Sequence, residues 1–129
     1  MDLEILMLKK QYRLKNKKAI DATYNNHQVV SNSDLILYVG KKKTIEDIET
    51  KFAFVVSKKY HKRAVKRNRI RRLMRESVRL IIKNNELEEY KKFLSFIFMP
   101  KIETLGKNFI EIDKSVKELL TKAISKYIC

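Results

Sequence analysis

Apolar positions alternate with a period of two over residues 35–42 and 51–58, and recur every three to four residues between 64 and 81. The first pattern predicts β-strands and the second an amphipathic helix. In LILYVGKK, Leu35, Leu37 and Val39 point one way, and Ile36 and Tyr38 the other. In KFAFVVSK, Phe52, Phe54 and Val56 share one side, and Ala53, Val55 and Ser57 share the other. The large apolar rows are expected to face the core. The smaller, mixed row of Ile36, Tyr38, Ala53, Val55 and Ser57 then forms a shallow, partly exposed groove. Residues 43–50 carry Glu46, Asp47 and Glu49 and read as the hairpin loop joining the two strands. A third strong strand is expected over 93–100, FLSFIFMP, ended by Pro100. Val29 and Val30 suggest a brief additional strand.

Two further helices complete the pattern. Residues 17–25 place Ile20 and Tyr24 on one face at i, i+4, with Asn25 and Asn26 closing the turn. Residues 113–127 align Val116, Leu119, Leu120, Ala123, Ile124 and Tyr127 in one stripe, with Asp113 as the expected cap. The order is helix, strands, helix, strand, helix, which predicts an α+β layer fold.

With 129 residues, two glycines and one proline, the chain is expected to be a single compact domain, 1–129. Residues 1–8, MDLEILML, read as a flexible N-terminal extension; Asp2 and Glu4 make them too acidic for a secretory signal. No run is long enough to cross a membrane. The one cysteine, Cys129, makes neither an internal disulfide nor a metal site, and a reducing cytoplasm fits.

Charge changes the picture most. The net charge is +15, and residues 58–79 hold eleven Lys or Arg against one acid, Glu76, supplying +10 of it. Residues 9–18, KKQYRLKNKK, add six basic residues and are expected to form a mobile or backbone-contacting arm. Within the helix expected over 62–83, Ile70, Leu73, Met74, Ser77, Leu80 and Ile81 fall in one arc. Ala64, Asn68, Arg71, Arg72, Arg75 and Arg79 fall on the other side, flanked by Arg67 and Arg69. With almost no acid nearby, such a stripe repels itself unless a polyanion neutralises it. Guanidinium forks grip phosphate oxygens, and Asn68 suits a base edge or a 2′-hydroxyl. The segment holding Lys58, Lys59, Lys62 and Arg63 leads into the helix N-terminus, where free N–H groups suit phosphate.

The run SKKYHKRAVKRNRIRRLMRE resembles the signature of the bacterial ribonuclease P protein subunit. The shared pattern is carried by Lys58, Lys59, Arg63, Ala64, Arg67, Asn68, Arg69, Ile70, Arg71, Arg72, Leu73, Arg75 and Glu76. The resemblance implies a two-layer α+β sandwich like the second domain of ribosomal protein S5, with a left-handed β-α-β crossover. It implies a protein that binds a catalytic RNA and promotes 5′ maturation of precursor tRNA in the cytoplasm. The RNA partner would carry out the hydrolysis with Mg²⁺, the protein itself binding no cofactor. The RNA-binding set would be Lys58, Lys59, Lys62, Arg63, Lys66, Arg67, Asn68, Arg69, Arg71, Arg72, Arg75 and Arg79. A cleft for the single-stranded leader would be formed by Ile20, Tyr24, Ile36, Tyr38, Ala53, Val55 and Ser57. Ile20 departs from the family, which often has Phe there, and Ile cannot stack on a base. The alternative is a non-enzymatic ribosomal or tRNA-binding protein; neither DNA nor a membrane is an expected partner. No catalytic or metal-binding motif is seen: His27 and His61 each lack a neighbouring carboxylate or Cys, and Glu86, Glu88 and Glu89 read as a polar linker.

Overall fold

A computed structural model describes residues 8–45 and 47–128. Its elements run α1 (Lys17–Asn25), β1 (Gln28–Ser31), β2 (Leu35–Val39), β3 (Lys51–Phe54), α2 (Ala64–Lys83), β4 (Ser95–Pro100) and α3 (Phe109–Tyr127). Short 3-10 turns occupy Lys10–Tyr12, Glu88–Lys92 and Ile102–Thr104. The expected α+β order is present.

The four strands form one sheet in the order β1-β2-β4-β3. β2 pairs antiparallel with β1 and with β4, while β3 and β4 run parallel, joined through α2. The expected hairpin between β2 and β3 is therefore absent, because β4 lies between them. Residues 43–50 are a connection past β4, with Glu46 outside the described residues. The reason is in the composition of β4: Phe96, Ile97 and Phe98 are all fully buried, so both faces of this strand are apolar and it belongs in the centre. The hairpin is β1–β2. The side-chain oxygen of Asn32 accepts from the N–H groups of Asp34 and Leu35 at its turn.

The alternation of large and small rows survives this rearrangement. Leu35, Leu37, Val39, Phe52, Phe96 and Phe98 face a core completed by Ile70, Met74, Val78 and Ile81 of α2 and by Ile112, Val116, Leu119 and Leu120 of α3. Phe52 stacks on Phe96 with centroids 5.6 Å apart, and Phe54 on Phe98 at 6.0 Å. The other face is more sparsely covered. There Leu14, Ala53 and Ile97 meet Ala19, Ile20 and Tyr24. The sheet is thus backed by an α2/α3 layer, and α1 crosses part of its opposite face.

Two terminal features differ from expectation. α3 begins earlier than 113, and its cap is Asn108, whose side chain accepts from Glu111 N–H at 3.0 Å. Asp113 lies one turn inside, where it accepts from the buried Ser77 hydroxyl at 2.7 Å and pairs with Lys117 at 3.1 Å. The basic arm is docked: Leu14 N–H donates to Phe52 O at 2.7 Å, and Arg13 bridges to Phe52 in parallel. Leu8 is buried in the core, so the extension expected over 1–8 cannot include it; residues 1–7 lie outside the described residues. Among the described residues no helix is long and apolar enough to cross a membrane.

Candidate nucleic-acid interface

α2 earns its position through one apolar stripe. Ile70, Met74, Ser77, Val78 and Ile81 are buried, with Leu73 and Leu80 half-buried beside them. Burying a side chain of that size contributes about 1.5–3 kcal/mol each, enough to hold a helix whose other face repels itself. That other face is cationic. Ala64, Lys66, Asn68 and Arg72 are exposed; Arg71 and Arg75 are half-buried. The N-terminus has no side-chain cap hydrogen bond and no acid in its first turn. It is therefore basic at the end where the helix dipole favours anions.

The arginines divide into holders and open ends. Arg67 donates to the carbonyls of His61 and Lys62 at 2.8 and 2.9 Å and so fixes the approach to the helix. Arg69 donates to Lys107 O at 3.0 Å, tying α2 to the segment before α3. Arg71 donates from Nε to Phe54 O at 3.3 Å and from its other arm to Asn68 Oδ1 at 2.7 Å. Neither Arg71 nor Arg75 forms an ion pair with an acid among the described residues. Arg79 does: Glu76 grips it at 2.6 and 3.0 Å, and this hydrogen bond raises its pKa. The expected open stripe therefore ends at Arg75, because the single acid of 58–79 sits one turn before Arg79.

Val65, Asn68, Arg69, Arg71, Arg72 and Arg75 line a shallow depression of about 500 Å³. Burial lowers the pKa of Arg75, and the neighbouring charges of Arg13 and Arg71 lower it further. Arg13 is the cation that sequence reasoning missed at this site. It comes from the docked arm, on the edge of the same strand whose Phe54 carbonyl holds Arg71. Its signal was the basic run 9–18, but only the docking brings it to α2.

The lysine loop is anchored too. Tyr60 is buried, and its hydroxyl meets the buried Thr104 hydroxyl at 2.9 Å. Ser57, Lys58, Lys59, Lys62 and Arg63 are left exposed around it. His61 is not a free loop residue, since its Nδ1 accepts from Arg63 N–H at 3.0 Å.

The proposed leader face is assembled from three strands and α1. Tyr38 pairs with Ile97, which pairs with Ala53; one step along, Ile36 pairs with Met99. Ile20, Tyr24, Tyr38 and Val55 pack around Leu14, Ala53 and Ile97. Tyr24 and Tyr38 meet edge to face. Burial, and then the neighbouring Tyr38, raise the Tyr24 hydroxyl above its ordinary pKa. Ile36 and Met99 are half-buried and Val29 is exposed, so the face stays open away from α1. Ile97 and Met99 were missed because β4 was not expected between β2 and β3. Ser57 lies beyond the end of β3, exposed, at the start of the lysine loop.

Among the described residues no three His, Cys, Asp or Glu side chains come together as ligands for a metal ion. What the arrangement offers is phosphate contact along α2 and an apolar, aromatic strip on the sheet.

The ribonuclease P family model matches residues 8–124. The ribonuclease P protein component of Clostridium kluyveri is 35% identical over 87% of this chain and 94% of its own length. That of Clostridium acetobutylicum is 33% identical over 88% of this chain and 90% of its own. Among solved structures, the Staphylococcus aureus RNase P protein superposes with a TM-score of 0.70 at 25% identity, covering 87% of this chain and 94% of that one. The Thermotoga maritima protein shares the fold, with a TM-score of 0.67 at 18% identity over 85% and 96%. These relatives give the ribosomal alternative no support. With its basic helix and a match over nearly the whole chain, the protein belongs to the ribonuclease P protein family.

Proposed function

We propose that this chain binds the catalytic RNA of ribonuclease P through α2 and the 5′ leader of precursor tRNA on the open sheet face. The observation that carries the reading is the pair of faces of α2: Met74 and Ile81 are fully buried, while Asn68, Arg71, Arg72 and Arg75 look outward without a matching acid among the described residues. Phosphates of the RNA partner supply the missing counter-charge. Lys58, Lys59, Lys62, Arg63 and Lys66 extend the contact around the helix N-terminus. Arg67 and Arg69 position it through the carbonyls they hold. In this reading the phosphodiester hydrolysis belongs to the RNA, and Mg²⁺ held by that RNA would supply the Lewis acidity for it. The protein aligns the leader against the half-buried Ile36, Tyr38 and Val55, which cover the buried Ala53 and Ile97, in the cytoplasm.

The test is direct. The protein is mixed with a bacterial ribonuclease P RNA at low Mg²⁺, and cleavage of precursor tRNA is followed. Faster cleavage with protein than without is expected. Identical rates would overturn the proposal.

A further inference from the structure

Ser95, Ile97 and Met99 alternate onto one face of β4, and α1 lies across the Ser95 and Ile97 end of that row. Ile97 and Met99 belong to the side where Tyr24 meets Tyr38. Ser95 lies toward the opposite side, about 13 Å from Met99 along the strand. There α1 and the strand ends enclose a groove of about 590 Å³. Its floor is small: Ala19, Ala22, Thr23, Gly40 and Ser95. The floor is also tightly held. The Thr23 and Ser95 hydroxyls are 2.5 Å apart, and Gly40 N–H donates to Ser95 O at 2.8 Å. A Cβ on Gly40 would lie 2.2 Å from Ser95 Oγ.

The walls and rim have a consistent chemistry. Leu94 and Ile48 are exposed aliphatics, 37% and 44% accessible, both lining the groove. Lys18, Lys41 and Lys51 stand around it, all exposed, against one acid, Glu49, a balance of three positives to one negative. None of these lysines forms an ion pair among the described residues. Lys15 and Lys17 are exposed just before the groove in the chain. An apolar slot with a cationic rim suits a flat heteroaromatic group carrying phosphates on either side.

We propose that this groove is a second subsite for single-stranded RNA, receiving the part of a leader that has passed α1 from the sheet face. The identity of the strand rests on the leader reading above, while the groove itself does not. With no aromatic ring to stack on, binding there is electrostatic and tolerant of sequence.

The test uses the full chain with its RNA partner and precursor tRNAs bearing leaders of about 4 and about 16 nucleotides. Lys18→Ala/Lys41→Ala/Lys51→Ala is expected to weaken binding of the long-leader substrate about tenfold, with a salt slope lower by about 2. Binding of the short-leader substrate stays within twofold. Ala22→Phe, which fills the slot without altering charge, reproduces the selective loss. Equal effects on both leaders, or no effect of either variant, overturn the subsite. Tyr38→Ala run in parallel, with mature tRNA as the leaderless reference, separates the two readings: if only Tyr38→Ala discriminates leader-bearing substrate from mature tRNA, the groove fails and the sheet face stands. If only the groove variants do, the sheet-face reading fails. Capture of an acidic peptide by the groove with no leader-length effect would likewise overturn the RNA assignment.

Discussion

Tyr24 and Tyr38 meet edge to face, with ring centroids 4.7 Å apart and planes at 73°. The contact joins α1 to β2 and leaves both rings half-buried at the edge of the open sheet face. An edge-to-face pair adds about 0.5–1.5 kcal/mol beyond the area it buries. Each ring therefore has a structural share, whatever its contact with a base. Tyr24→Ala is expected to lower the unfolding free energy by about 1 kcal/mol or more, and to weaken leader-bearing substrate more than mature tRNA. Binding constants for the two substrates check this. Equal losses would assign Tyr24 to packing alone.

Arg71 and Arg75 are the half-buried guanidiniums of the stripe without an acid partner among the described residues, and Arg75 is repelled by both Arg71 and Arg13; a phosphate bound there would relieve that repulsion. Arg71→Ala with Arg75→Ala should lower the slope of log affinity against log salt by about 1 per lost phosphate contact. Arg79→Ala should leave that slope alone, since Arg79 is held by Glu76 at 2.6 Å. Titrations at several salt concentrations read both outcomes. An unaltered slope in the double variant would remove α2 from the interface.

Asp34 is buried beneath the segment that receives Arg69. Its carboxylate takes a hydrogen bond from Lys107 Nζ at 2.6 Å and another from Ser115 Oγ. Burial pushes the Asp34 pKa up, but the hydrogen bonds from Lys107 and Ser115 and the charges of Lys107 and Lys101 outweigh it, and the net shift is downward. A carboxyl depressed in the folded state adds stability above its unfolded pKa, and loses it as pH falls through the folded value. Asp34→Asn should cost about 2 kcal/mol at neutral pH. Below the ordinary aspartate range the difference from the parent should shrink. Denaturant midpoints at neutral and acid pH test this, and a constant difference across pH would refute it.

How far the chain could be read in advance follows from where its physics is local. The two faces of α2 were legible because their period is helical and their charges are consecutive. The rows Leu35, Leu37, Val39 and Ile36, Tyr38 were legible because a strand alternates whatever its neighbour. Pairing was not: nothing local in LILYVGKK and KFAFVVSK says that FLSFIFMP will slide between them. Its apolar run on both faces was the available clue. The docking of Leu8 and Leu14 was masked by six basic residues in 9–18, whose charge stays outward while two leucines turn in. Arg79 looked open because the wheel places it opposite the core, and only the rotamer brings it to Glu76. Asn108 lost out to Asp113 as the expected cap because the apolar stripe was counted from Val116, whereas the helix starts two turns earlier at Phe109.

Gly40 tests how rigid the floor beneath α1 is. An added Cβ meets Ser95 Oγ at 2.2 Å and the Ser95 backbone at 3.0 and 3.1 Å. Gly40→Ala must therefore displace the hydroxyl that Thr23 holds, loosening α1 from β4. A cost of about 1–3 kcal/mol is expected. Ser95→Ala in the same chain should recover part of that, since it removes the nearest clash but not the backbone one. A double-mutant cycle on thermal or urea unfolding measures the coupling. Strict additivity would mean that the two sites do not touch.

Ile20 stands where the family resemblance leads one to expect Phe, and it offers a gain rather than a loss. Its side chain is half-buried, packed beside Leu14, Ala53 and Ile97 in the same cluster as Tyr24 and Tyr38. Ile20→Phe keeps the apolar contact and adds a ring at the edge of the Tyr24–Tyr38 pair. Base stacking on an aromatic contributes about 1–3 kcal/mol, so even a partly aligned ring should tighten leader-bearing substrate about fivefold. Mature tRNA should bind as before, and the melting temperature should change little because the volume added lies on the accessible side. If instead affinity rises equally for both substrates, the new ring touches the tRNA body. If neither changes while stability holds, no base passes over position 20, and the leader path across this sheet face is wrong.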